Sequence, residues 1–145
     1  MGHHENEPTF LAIGRFMFEF SQLEYTIKHH IAEAVRLDEK FIDPVMTHDF
    51  ALLCTAAKQI LGEAMADEKR KRLNDILKEC HSLNQERVRV AHGLWVPFRE
   101  GGVVHHVART SLKTTRTVGQ AEHLEKQADR ANGLRFKLEK LIAEL

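Results

Sequence analysis

The sequence predicts one mainly α-helical domain over residues 1–145, an up-down four-helix bundle with a short β-hairpin inserted before the last helix. Four stretches repeat apolar residues at spacings of three and four, which is typical of amphipathic helices. Between the third and fourth stretches, aromatic and β-branched residues flank a glycine pair, which favours a hairpin. A chain of 145 residues suffices for one core and is short for two.

The first predicted helix opens in "EPTF", where Pro8 suits a first helical turn, and continues to about Val35. On a helical wheel Glu24 falls on its apolar face, where a carboxylate needs a cationic partner. The apolar residues of this face are Ile13, Phe16, Met17, Phe20, Leu23, Ile27, Ile31 and Val35.

The second predicted helix begins at Thr47 or His48 and ends near Gly62 or a turn later. It follows the connector "RLDEKFIDPVMTHD", in which Pro44 breaks the helical period. The third helix begins around Asp67, which we expect to cap it, and ends at "RVRVAHG". Its apolar stripe consists of Leu73, Ile76, Leu77, Cys80 and Leu83.

The end of the third helix carries several polar residues that the wheel separates. Asn84 and Arg87 fall at the centre of the apolar stripe, whereas Arg89 faces away and His92 lies on the flank. We expect Arg87 to approach Glu24 across the first and third helices, with Asn84 nearby. Such a group is either a structural ion pair that fixes helix register or part of a functional site.

The stretch "LWVPFREGGVVHHVART" predicts two short strands joined by a turn at "EGG". In "TVGQ", Thr117 is the predicted N-cap of the last helix, with Gln120 three residues on. That helix continues to the C-terminus on an apolar face of Leu124, Ala131, Leu134, Leu138, Leu141 and Leu145.

Charge is balanced overall, with 21 Lys plus Arg against 21 Asp plus Glu, so no global field indicates a partner. Charge is segregated locally, because the run from Arg87 to Arg116, both included, holds six cations and one anion, Glu100. Such a patch is typical of contact with a phosphate backbone, although hairpins are often simply basic and solvated. Besides Arg87, the cations that we expect to bind RNA are Arg89, Arg99, Arg109, Lys113 and Arg116.

Cys54 and Cys80 lie inside apolar helical patterns, which favours buried thiols in a reducing compartment over a disulfide framework. The first residues lack the apolar core of a signal peptide, and no apolar run is long enough to span a membrane. We therefore expect a cytoplasmic protein with no membrane partner. The histidine spacings match no metal motif, so we expect no metal and no cofactor. No function is inferred from His3 and His4.

The segment "NQERVRVAHGLW" resembles the Arg-x4-His motif of the HEPN superfamily, the higher eukaryote and prokaryote nucleotide-binding domains. The match assigns the motif residues to Arg87 and His92, and "FSQLEYTI" with Glu24 is similar to uncharacterised bacterial members. The resemblance implies a metal-independent endoribonuclease that acts as a homodimer, often in toxin-antitoxin or phage-defence systems. Arg87 and His92 would be catalytic, and Asn84 and Glu24 would support Arg87.

Two positions differ from common forms of the motif. Val88 follows the motif arginine where active members often carry a polar residue, and Leu94 replaces the tyrosine of one toxin group. The family also contains members without activity that serve as binding modules. The alternative expectation is therefore a non-catalytic dimeric module that binds RNA, a nucleotide or a protein partner such as an antitoxin.

Overall fold

The computed structural model describes residues 6–96, 102–106, 114–118 and 120–145, and within them the chain is mainly helical. The helices are α1 (Glu7–Val35), α2 (Ile42–Val45), α3 (Phe50–Glu63), α4 (Asp67–His92) and α5 (Gln120–Ala143), with a 3-10 turn at Glu39–Phe41. The strands are β1 (Leu94–Val96), β2 (Gly102–His106) and β3 (Thr114–Val118). Among the helices of the described ranges, none is both long and apolar enough to cross a membrane.

Two helix starts differ from the prediction. Helix α3 begins at Phe50 because the Asp49 side chain accepts a hydrogen bond from the Leu52 N–H at 3.0 Å, so the start predicted at Thr47 or His48 is early. Helix α4 has Ala66 at its N-cap, and Asp67 is its first helical residue rather than its cap. An acidic side chain in the first turn still interacts favourably with the helix dipole.

The predicted N-cap at Thr117 is wrong, because Thr117 lies in β3 and α5 begins at Gln120. The sequence of β3, "TTRTV", is rich in β-branched residues, which favour strands. Strand β2 pairs antiparallel with both β1 and β3, and Val103 faces Trp95 on one side and Thr117 on the other. The predicted glycine turn includes residues 100 and 101, which lie outside the described residues.

The long helices do not alternate in direction. The ring centroids of Phe20 in α1 and Phe50 at the start of α3 are 4.7 Å apart, and His30 and Leu61 line one cavity near the far ends of the same helices. Helices α1 and α3 therefore run parallel. The connector between them returns along α1, where the Tyr25 hydroxyl donates to Glu39 at 2.7 Å. The predicted up-down order is wrong at this connection.

Helix α5 also runs parallel to α1. Near the start of both helices Arg15 pairs with Asp129, and farther along His30 Nε2 lies 3.1 Å from Glu139. A bundle with one long crossover connection accommodates this arrangement.

Helix α4 runs in the opposite direction. Near its start Arg72 pairs with Glu144 beyond the end of α5 at 2.8 Å, and near its end Glu86 lies 3.1 Å from His123 in the first turns of α5. The C-terminal end of α4 therefore lies beside the N-terminal halves of α1 and α5, which is where the motif residues are found.

The core lies between the four long helices and is apolar. Cys54 and Cys80 are buried free thiols, as predicted, and burial raises the pKa of each to about 12. The largest fully buried side chains are Phe16, Phe20, Phe50, Leu23, Ile27, Leu53, Leu73, Leu83, Leu124, Leu134, Leu138 and Leu141.

Candidate functional site at the end of helix α4

Arg87 is held between a neighbour on its own helix and a ring on α1. Its Nε and Nη2 donate to the Asn84 Oδ1 at 3.1 and 3.0 Å, and its guanidinium carbon lies 5.2 Å from the centre of the Phe20 ring. The side chain is half-buried, because α4 directs it toward the core and the Phe20 ring covers one side. The structure thus brings Arg87 and Asn84 together.

The expected approach of Glu24 to Arg87 is wrong. Within the described ranges the ion partner of Glu24 is Lys28, one turn farther along α1, at 3.9 Å. Lys28 can reach this carboxylate from the same helix, whereas Arg87 meets α1 at Phe20, about 6 Å before Glu24 along the axis. Glu24 therefore does not neutralise Arg87.

The two contacts of Arg87 do not neutralise its positive charge. Asn84 is a neutral acceptor and Phe20 is an aromatic ring, and no carboxylate in the described part of the chain forms an ion pair with Arg87. The two hydrogen bonds to Asn84 use two of the five N–H donors of the guanidinium. The remaining donors can form the planar, forked contact by which arginine binds phosphate.

His92 lies in the last turn of α4 and is exposed. It forms no hydrogen bond or ion pair with any residue that the structure describes, so both ring nitrogens are available to a ligand. Arg87 and His92 differ by about 140° around the helix and about 7.5 Å along it. On an ideal helix, the side chains of Arg87 and His92 therefore point in different directions and do not meet at one atom.

Two hydrogen bonds fix the direction in which the chain leaves α4. The Gly93 N–H closes the last turn on the Arg89 carbonyl at 2.8 Å, and the Trp95 indole N–H donates to the Val90 carbonyl at 3.0 Å. Two apolar residues near His92 in the sequence are exposed, Val88 by 43% and Leu94 by 68%.

The prediction that Arg89 faces away from the core into solvent is wrong. Its side chain is 19% exposed, forms an ion pair with Glu86 and lies 3.3 Å from His123 on α5. The prediction failed because α5 packs along this side of α4 and covers it. A spacing of three residues from Glu86 was the signal for an ion pair on the helix surface. Arg89 is thus already neutralised, which weakens its assignment to RNA binding.

The other basic candidates fall where the structure gives no side-chain geometry. Residues 99, 109 and 113, which are Arg99, Arg109 and Lys113, lie outside the described residues, as do His3 and His4. Arg116 lies in β3 opposite Val104, and only its backbone is described. Their binding to RNA stays a prediction. In the parts of the chain that the structure describes, no group of three or more His, Cys, Asp or Glu side chains is arranged to hold a metal ion.

Comparison with known proteins gives no family for the chain. No family model matches it, and neither a curated protein nor a solved structure is similar enough to count as a match.

Proposed function

We propose that the chain is a HEPN-like, metal-independent endoribonuclease that acts as a homodimer. The observation that carries the proposal is the state of Arg87, a half-buried cation held by neutral partners, with the exposed His92 near it on the same helix. A guanidinium that is positioned but not neutralised suits a phosphodiester. The Arg-x4-His motif connects this geometry to RNA.

The chemistry needs a base, a proton donor and a positive charge. The 2′-hydroxyl of RNA attacks the adjacent phosphorus while one histidine removes its proton. The bond to the 5′ oxygen breaks, that oxygen receives a proton, and the products are a 2′,3′-cyclic phosphate and a 5′-hydroxyl. Arg87 stabilises the negative charge that develops on the phosphorane oxygens.

A dimer supplies what one protomer lacks. One His92 can serve as base or as acid, and a twofold axis near the end of α4 brings His92 of the partner subunit to the same phosphate for the opposite proton transfer. The exposed Val88 and Leu94 support pairing at this surface, because burying them between two protomers is favourable. The biological partner that the resemblance suggests is a cognate antitoxin protein.

The test is cleavage of mixed RNA in EDTA. We expect the native protein to cleave the RNA, and also the control variant His48→Ala, which removes another exposed histidine. We expect His92→Ala and Arg87→Met to lose this activity, although their circular dichroism spectra should match that of the native protein. Cleaved ends should carry cyclic phosphate. Inactivity of the native protein, or cleavage that His92→Ala leaves unchanged, contradicts the proposal. Light scattering should give a dimer, and a monomer at micromolar concentration contradicts the shared site.

A second candidate is a non-catalytic HEPN-like module that binds RNA, a nucleotide or a protein. The observation that favours it is Val88, an exposed apolar side chain directly after Arg87 where active members often carry a polar group. A module of this kind binds RNA without cleaving it. Arg87→Met then weakens RNA binding, whereas His92→Ala has little effect.

A further inference from the structure

We propose that the cleft between α3 and α4 is a second phosphate-binding site, which takes a phosphate of either an RNA strand or a free nucleotide. The cleft has a volume of about 410 Å³. Small-molecule sites range from about 300 to 1,000 Å³, so a nucleotide fits this size. The inference does not depend on cleavage at His92, because it concerns binding at a different place on α4.

Two lysines and a histidine line this cleft from both sides. Lys58 extends from α3, Lys78 and His81 extend from α4, and Asp75 is the carboxylate among the lining residues. Across the described ranges, neither lysine nor His81 forms an ion pair. By contrast, Arg15 of α1 is paired with two carboxylates of α5. Cations that face each other across a cleft repel, and a bound anion relieves this repulsion.

The rest of the cleft suits the organic part of a nucleotide. Cys54 and Leu77 supply buried apolar surface, since they are 8% and 5% exposed. Asn74 lines the cleft as well, and its Oδ1 is buried without a hydrogen-bond partner in the described part of the chain. After a small rotation this amide can bond to a sugar or a base. Sites of this class combine an apolar wall with a few polar groups that fix orientation.

The cleft and His92 share one face of α4. Taking Leu73 as zero, Asn74, Lys78, His81 and His92 fall between about 80° and 140° around the helix. His81 and His92 are separated by about 16 Å along the axis. A single RNA strand can therefore reach both places, whereas a free nucleotide can occupy only the cleft.

The experiment compares two double variants with the same change in charge. Lys58→Glu with Lys78→Glu reverses the cleft, and Lys137→Glu with Lys140→Glu reverses two exposed lysines on α5 as the matched control. All four side chains are exposed, so both variants should keep the native melting temperature within a few degrees. Adenosine monophosphate is titrated by calorimetry, and a short fluorescent RNA is titrated by anisotropy.

We expect the cleft variant to bind at least one of these probes at least about tenfold more weakly than the control variant, which corresponds to about 1.4 kcal/mol. Loss of adenosine monophosphate binding identifies a free nucleotide as a sufficient ligand, and loss of RNA binding alone identifies the RNA backbone. Equal weakening in both variants would show a general charge effect and overturn the proposal. If the native protein binds neither probe, the proposal is overturned as well.

Discussion

Coupling energies between side chains test which residue holds Arg87. We compare Asn84→Ala, Glu24→Gln and Arg87→Met, alone and in the two double variants that include Arg87→Met. Methionine keeps an apolar stem against Phe20 and removes the charge and the donors. The contacts of Arg87 predict coupling to Asn84 and none to Glu24.

The magnitude follows from the geometry. Hydrogen bonds to charged groups contribute about 1.5–3 kcal/mol each when buried, but here both share one acceptor oxygen and the guanidinium is half-buried. We expect a coupling free energy of about 1.5 kcal/mol between Asn84 and Arg87. The single change Asn84→Ala should cost less, about 1 kcal/mol, because alanine has a higher helix propensity than asparagine. The cycle cancels this propensity difference.

The assay is urea unfolding followed by circular dichroism for each variant. For a chain of this length a change of about 1 kcal/mol moves the melting temperature by about 2–4 °C, so thermal unfolding provides a second readout. Coupling between Glu24 and Arg87 should stay below about 0.5 kcal/mol. A larger coupling to Glu24 than to Asn84 would refute the arrangement at the end of α4.

Three further predictions concern the core and the helices. Because burial raises the pKa of the Cys54 and Cys80 thiols from 9.0 to about 12, their contribution to stability is complete below about pH 9 and is lost as pH rises toward 12. Urea unfolding across this range should show the decline, and it should be smaller after Cys80→Ala. Leu138→Ala removes a side chain with 0% exposure and should cost about 2–5 kcal/mol. Gly133→Ala should stabilise the protein by about 0.5–1 kcal/mol in thermal unfolding, because an added Cβ meets nothing within 4 Å and alanine favours the helix.

The direction of Arg87 and its closeness to Asn84 were predictable, whereas the partner of Glu24 was not. The wheel places Arg87 on the core face of α4, and the helical period alone determines this. The partner of Glu24 depended on a competition between Arg87 on another helix and Lys28 on the same helix, and spacing cannot rank a tertiary contact against a local one. The same limit applies to Arg89, whose exposure depended on where α5 packs.

The relative directions of the helices could not be predicted from the sequence, for a similar reason. A connector of this length can either turn back at once or return along α1, and only packing decides between these paths. The polar residues Lys28 and His30 are buried in the structure at 6% and 8% exposure, although neither fits the apolar period of α1. The pairing of His30 with Glu139 requires α1 and α5 to be parallel, so it could not be inferred from an up-down arrangement.

The stability of Arg87→Met alone separates a structural arginine from one kept for a ligand. Breaking a buried ion pair usually costs about 3–5 kcal/mol, because it leaves the partner charge unpaired. Arg87 has no such partner in the described part of the chain, and its removal leaves only the neutral amide of Asn84, which water can reach. The lost hydrogen bonds and ring contact are offset by relief from burying a charge, so the free energy of unfolding should change by about 1 kcal/mol or less. A loss of about 3 kcal/mol would mean that Arg87 holds the bundle together. A small change combined with lost RNA binding would mean that the fold carries this cation for a phosphate, since residues kept for function often contribute little to stability.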